Sequence, residues 1–284
     1  MKKAKSNFFV QILAELKYGL LSGGYKFILP FIIGIDYADT FVRQIQTYMM
    51  YGKQSLQVSF IDCIVYVFRG MREYIPAKNN PFEIPTNYLI IVIVLALFIG
   101  NYPLKDLHGF GKNVLVRSRR KSDWWFSKCI WNISTVLVFF LSIYAGVAVR
   151  CVVSSSMFSS IGNVNADVIS VVLGCNKESI YNANVIGVMV LVLPVLTGIA
   201  LSLFQMTMAF LTSAIISYIS IITVAIFSAY YTVWFLPGNF LMTYRYTQVC
   251  ENGVFLATSL MVDVVVIVVS VIVGYVYFRK YDVL

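Results

Sequence analysis

The chain has one histidine, His108, and five cysteines (Cys63, Cys129, Cys151, Cys175, Cys250) that never fall into a CxxC pair, so it lacks both a metal framework and a readable disulfide set. No Walker A sequence is present. Gly52-Lys53-Gln54 and Gly111-Lys112-Asn113 lack the upstream glycine and the following Ser/Thr that hold phosphate and Mg²⁺, so the chain is not expected to hydrolyse ATP itself. The H-E-x-x-H and G-x-S-x-G patterns are also absent, and His108 has no acidic or nucleophilic partner at useful spacing, so it reads as solvated or helix-packing. No catalytic, cofactor-binding or metal-ligating residue is expected, and no enzyme. The opening MKKAKSNFFVQILAELKYG is charged but has no unbroken apolar core or small-residue cleavage site, so a removed signal peptide is not expected.

Charge is scarce as well, at 12% of the 284 residues, while 59% are hydrophobic and the mean hydropathy is +0.79. That balance predicts an all-α integral membrane protein. A crossing helix needs roughly 20 mostly apolar residues. Six stretches qualify: about Leu21–Ile35, then Tyr88–Tyr102, Cys129–Val149, Val185–Gln205, Ile215–Phe235 and Ala257–Phe278. Six transmembrane helices put both termini on one side. With the N-terminus, Leu104–Lys128 and the tail RKYDVL taken as inside, 14 of the 22 Lys/Arg lie there, against Glu15, Asp106, Asp123 and Asp282. The excess of about +10 then belongs to the cytosolic side, as the positive-inside rule expects, and a nucleic-acid partner loses its support.

Around the spans, residues 1–20 read as an interfacial helix. Phe8, Phe9, Ile12, Leu13, Leu16 and Leu20 form one face, and the chain enters the bilayer at Ser22-Gly23-Gly24. Residues 36–85 read as a long external loop whose SFIDCIVYVFRGMREYIP is an external helix packed near the membrane, and Ser154–Asn184 as a second. Residues 234–256, broken at Pro237-Gly238, read as an external re-entrant or interfacial hairpin before the last span. Residues 104–128 are the one long internal loop, with Leu104, Leu107, Gly111, Val114 and Leu115 on a helical stripe, then a basic turn, then Trp124-Trp125 at headgroup level.

Two features inside the spans carry functional readings. Asp263 is the one acidic residue in a span, which marks either a proton or cation site or a carboxylate satisfied by water or a polar neighbour near the outer end. In the fifth span, Ser213, Ser217, Ser220, Ser228 and Tyr231 recur at helical steps. Such a hydroxyl stripe either lines a wet translocation path or lets helices pack closely.

This layout resembles the permease subunit of ABC-2 type exporters. FEIPTNYLIIVIVLALFIGNYPLKDLHGFGKNVLVRSRRKSDWWFSKCIWN is similar to the second-span, internal-loop and third-span block of Firmicute-type members, and the resemblance covers most of the chain as a single transmembrane domain, residues 1–284. It implies a half-transporter in the bacterial cell membrane: a homodimer or heterodimer with a second permease subunit, in contact with membrane lipid, on two copies of an ATPase subunit that bind ATP and Mg. The resemblance makes the internal loop the ATPase-coupling element, with Leu104, Leu107, Val114 and Leu115 as its apolar face and Arg117, Arg119, Arg120 and Lys121 as its charge. By the resemblance, spans two and five would wall the path, and Pro237, Gly238, Arg245 and Glu251 would lie in an outer gate. An amphiphilic cargo (peptide, lipid or hydrophobic drug) is the expected substrate. The alternatives are a membrane-embedded peptide sensor or immunity protein without transport, and a small secondary carrier.

Overall fold

The computed structural model describes residues 8–21, 23–52, 56–75, 84–100, 102–109, 111, 121–154, 157–160, 164–174, 183–249 and 252–280. The chain is mostly helical, and its elements follow from long apolar runs broken by glycine, proline and polar punctuation. In order they are α1 (Phe8–Glu15), a π turn (Leu16–Leu21), a 3-10 turn (Gly24–Phe27), α2 (Ile28–Gly52), β1 (Val58–Ser59), α3 (Phe60–Val67), α4 (Thr86–Gly100), α5 (Tyr102–His108), α6 (Lys121–Val153), β2 (Phe158–Ser160), α7 (Ala166–Leu173), α8 (Ala183–Leu211), α9 (Ala214–Tyr230) and α10 (Leu256–Lys280). Among the described residues, four stretches are long and apolar enough to cross a membrane: Thr86–Leu107, Ser122–Val153, Asn184–Leu211 and Leu256–Arg279. A fifth is added if Phe8–Leu21 and Gly24–Gly52, bent by 56°, count as one broken span. Helix α9 is shorter, at 17 residues.

Helix α8 sits at the centre, packed against α4, α6, α9 and α10. Polar side chains join it to its neighbours: Asn132 and Ser202 bond each other across α6 and α8, Gln205 Nε2 donates to the Ala96 carbonyl of α4 (2.9 Å), and Thr207 Oγ1 to the Ser270 carbonyl of α10 (3.1 Å). Inter-helix bonds of this kind specify partners where lipid supplies no hydrophobic drive between helices. Helix α2 lies along α6 at a backbone-to-backbone approach. A Cβ on Gly34 would stand 2.3 Å from the Ile143 carbonyl oxygen, and one on Gly146 would stand 2.2 Å from that of Phe31. At the far end of this pair, Arg150 Nε meets Asp39 Oδ1 at 2.8 Å.

Several segments depart from the sequence-based expectations. The first long helix begins at Ile28 and does not stop near Ile35. It continues to Gly52, taking in residues assigned to the 36–85 external loop. Polar Asp36, Asp39 and Arg43 argue for a loop there, but Tyr37, Ala38, Phe41, Val42 and Ile45 keep a buried helical stripe against the bundle. The expected external helix is α3, wholly buried except for its first turn and closed by a Ser59–Asp62 capping box. The Ser154–Asn184 loop holds α7, which ends on Gly174 in a left-handed conformation (φ 56°), and β2, which pairs in parallel with β1 as the one sheet among the described residues. The 1–20 segment is divided into α1 and the π turn, and α1 leaves Phe9, Val10 and Leu13 exposed.

Candidate functional site around the buried Lys128

Where α1, α5 and the start of α6 converge, Lys128 is fully buried. Its Nζ lies 2.6 Å from Glu15 Oε2 and 2.7 Å from Asp106 Oδ2, over the rings of Tyr102 (4.6 Å) and Trp124 (5.2 Å). Tyr102 completes the group by donating its hydroxyl hydrogen to Glu15 Oε2 at 3.0 Å. An isolated buried ammonium is costly, so the two carboxylates and the ring faces are what make this position tenable. The result is one ionic knot holding three elements. Sequence reasoning counted Lys128 only as one more cytosolic cation. The missed signal is that Glu15 and Asp106 are two of the four acids on the basic side, each set among apolar residues.

The Trp pair is also placed differently. Trp124 and Trp125, expected at headgroup level, are wholly buried within the bundle. They close on Phe210 of α8 and Phe278 of α10: Trp124–Phe278 centroids are 5.0 Å apart, Trp125 stacks on Phe278 at 5.4 Å, and Phe210 meets Phe278 edge-on at 4.8 Å. Trp125 Nε1 donates to the Val271 carbonyl (3.0 Å), so the indole finds protein rather than interfacial water. A Cβ at position 274 would stand 2.0 Å from the Trp125 ring, and Gly274 is what admits it.

Beside the knot lies a groove of about 600 Å³ between α5 and the α8–α9 turn, walled by Leu104, Lys105, Leu107, Phe210, Ser213 and Tyr277 among others. Leu107 is buried and Leu104 half-buried. The groove therefore brings α5 against the turn between α8 and α9, a pairing that the linear sequence does not suggest. Val114, Leu115, Arg117, Arg119, Arg120 and Glu251 lie outside the described residues, and Lys121 is described only as the first residue of α6.

The other candidate residues are dispersed. On α9, Ser217 and Ser228 face inward with Ile221 and Ala225, whereas Ser220 is half-exposed, Ser213 caps the helix and Tyr231 points outward. Ser217, Ser220 and Ser228 return their hydroxyl hydrogens to carbonyls of their own helix, at Ala214, Ile216 and Val224. The inward residues form the close-packed face: Tyr88 of α4 donates to the Ala225 carbonyl at 3.4 Å. Pro237 and Gly238 open a buried 3-10 turn, and Thr243 N and Tyr244 N bond the carbonyls of Phe68 and Arg69, so the broken segment's backbone meets protein. Arg245 is buried there, donating to Thr232 Oγ1 and to the Ala229 and Arg72 carbonyls. Asp263 lies buried in α10 and accepts from Thr197 Oγ1 at 2.7 Å, while its Oδ1 has no hydrogen-bond partner among the described residues. No group of three His, Cys, Asp or Glu that could hold a metal occurs among the described residues.

The model of one protein family, described as protein of unknown function (DUF2705), matches residues 37–284. No curated protein and no solved structure matches the chain.

Proposed function

We propose that this chain, which belongs to the DUF2705 family of proteins of unknown function, is the permease subunit of an ATP-driven exporter that moves an amphiphile out of a bacterial cell. The observation that carries this reading is the groove between α5 and the α8–α9 turn, set directly beside the buried Lys128 knot. In this reading a separate ATPase subunit seats against Leu104 and Leu107. A push on α5 then reaches Asp106, passes through Lys128 to α6 and through Glu15 to α1, and moves three elements together. The basic end is cytosolic on the charge count, with both termini inside. ATP and Mg belong to two copies of the ATPase, and a second permease subunit completes the dimer.

Six crossings follow: the bent α1–α2 pair, α4 with α5, then α6, α8, α9 and α10. Helix α9 rises about 26 Å at 1.5 Å per residue, close to the roughly 30 Å of hydrocarbon, and exposed Tyr231, Trp234 and Phe235 supply an interfacial end. On α10, exposed Val264, Val265, Val268, Val269 and Ile272 suit lipid or the second permease.

The test is co-purification with the product of a neighbouring reading frame that carries GxxxxGK[ST]. Leu104→Asp, at a half-buried position, is expected to lose the ATPase while remaining monodisperse with normal topology. Undiminished assembly refutes docking in the groove. A second reading, a membrane-embedded peptide sensor without transport, draws support from the α9 hydroxyls, which are bonded to their own helix instead of facing a path. Substrate-stimulated ATP hydrolysis by the complex in nanodiscs distinguishes the two: stimulation supports export, and a complex that binds peptide without stimulation supports sensing.

A further inference from the structure

At the end of α4 away from the knot, a cavity of about 530 Å³ opens between the start of that helix and the 69–74 stretch that follows α3. Its volume is that of a small-ligand site. Arg69, Glu73, Ile84, Asn87 and Tyr244 are among its walls. The walls are fixed from behind. The Phe68 and Arg69 carbonyls accept the backbone N–H groups of Thr243 and Tyr244, and Gly70 turns the chain at φ 65°, where a Cβ would stand 2.2 Å from Met242 Cγ. Arg43, Arg72, Arg150 and Arg245 each donate to an oxygen elsewhere in the protein. Arg69 does not. Its half-buried guanidinium lies 4.4 Å from the Tyr66 ring centroid and enters no ion pair or side-chain hydrogen bond among the described residues. Glu73 is exposed and pairs neither with Arg69 nor with another cation among the described residues. One cation and one carboxylate thus line the same space without neutralising each other.

We propose that this cavity binds the zwitterionic headgroup of an amphiphile, a phosphate joined to a primary ammonium, with Arg69 taking the phosphate and Glu73 the ammonium. A guanidinium presents a planar fork of N–H donors that fits phosphate oxygens, and the seat on Tyr66 holds that fork in place. Asn87 adds to the positive side. It lies in the first turn of α4, where the bond from Leu89 N to the Pro85 carbonyl (3.0 Å) opens the ladder, so the positive end of the helix dipole meets the cavity. Glu73 disfavours a simple anion, because a like charge beside it is repelled, and favours a ligand that carries a cation as well. Ile84 on the rim and Ile75 at the end of the 69–75 stretch are 64% and 68% exposed, and they offer the first carbons of acyl chains an apolar surface. This site goes beyond the export reading and depends neither on an ATPase nor on which side of the membrane it faces.

The full chain is purified in a maltoside detergent and titrated calorimetrically with dihexanoyl phosphatidylethanolamine, dihexanoyl phosphatidylglycerol, free phosphoethanolamine and dihexanoylglycerol. Saturable binding of the phosphatidylethanolamine is expected, about tenfold or more tighter than each of the other three. Arg69→Gln is expected to weaken both phospholipids by about tenfold, and Glu73→Gln to weaken the phosphatidylethanolamine alone, which removes its preference over phosphatidylglycerol. A merely structural role for Glu73 would not move the two lipids differently. Because Glu73 is exposed, its variant keeps the fold and decides the matter even where Arg69→Gln unfolds. Phosphatidylglycerol bound by the unaltered chain as tightly as phosphatidylethanolamine overturns the zwitterion, and phosphoethanolamine bound as tightly overturns the amphiphile. Phosphatidylethanolamine affinity unchanged in Glu73→Gln overturns the site.

Discussion

Replacing Lys128 with methionine removes the charge at the centre of the ionic knot while keeping a stem of similar length against Tyr102 and Trp124. Each of its two contacts, at 2.6 and 2.7 Å, represents attraction on the order of 6 kcal/mol at an effective permittivity of about 20, much of it offset by the desolvation of the ammonium. Removing one partner of a buried pair and leaving the other charged typically destabilises by about 3–5 kcal/mol. Here the Glu15 and Asp106 side chains retain 11% and 13% exposure, so water partly relieves them. The loss therefore falls at the lower end, about 3 kcal/mol, which at about 2–4 °C per kcal/mol lowers Tm by about 6–12 °C. The assay is thermal unfolding of detergent-solubilised protein followed by fluorescence size exclusion. The triple variant Glu15→Gln, Asp106→Asn, Lys128→Met removes all three charges and is expected to recover most of the loss, because no buried charge then lacks a partner. An unchanged Tm in the single variant refutes the reasoning, and so does a triple variant as unstable as the single one, which would assign the effect to packing.

Two further outcomes follow from the same geometry. Gly146→Ala sets a Cβ against the Phe31 carbonyl and Gly34→Ala sets one against that of Ile143. Each is expected to destabilise by about 1–3 kcal/mol, and the double variant by less than the sum, since separating α2 from α6 relieves both clashes at once; strict additivity in the same melt would refute the shared interface. Burial raises the Asp62 carboxyl from 3.8 to about 6 against the lowering effect of hydrogen bonds from Ser59 and Asn165. The folded state therefore holds this proton more tightly than the unfolded one, and the contribution to stability is greatest below about pH 4, falls as pH rises to about 6, and is flat above, a change on the order of 3 kcal/mol. Asp62→Asn is expected to flatten that slope in pH-dependent urea unfolding, and a slope unchanged by the substitution would refute the assignment.

The long helices were legible from hydropathy alone. Cys129–Val149, Val185–Gln205 and Ala257–Phe278 each lie inside an observed helix, α6, α8 and α10, because an uninterrupted apolar run has to satisfy its backbone internally wherever water is excluded. Local composition misled where a residue type has two stable environments. Asp36, Asp39 and Arg43 read as loop, yet they ride on a helix whose other face is buried. Trp124 and Trp125 read as headgroup anchors, yet Gly274 opens a place for Trp125 inside the bundle and Val271 accepts its N–H. The stripe on α9 has helical spacing in sequence, but which of its hydroxyls face inward depends on where α4 and α8 lie.

What the sequence by itself determined is thus the helical class and the apolar runs, since each depends only on residues near one another in the chain. Only the tertiary structure decided that Lys128 meets Glu15 across 113 positions, that Asp62 meets the Asn165 backbone, and that α5 and the α8–α9 turn share a groove. An ammonium, a carboxylate or a leucine carries no mark in the sequence of the partner that stabilises it. That partner is selected by which helices can approach closely, and small residues such as Gly34 and Gly146 set the approach of α2 to α6.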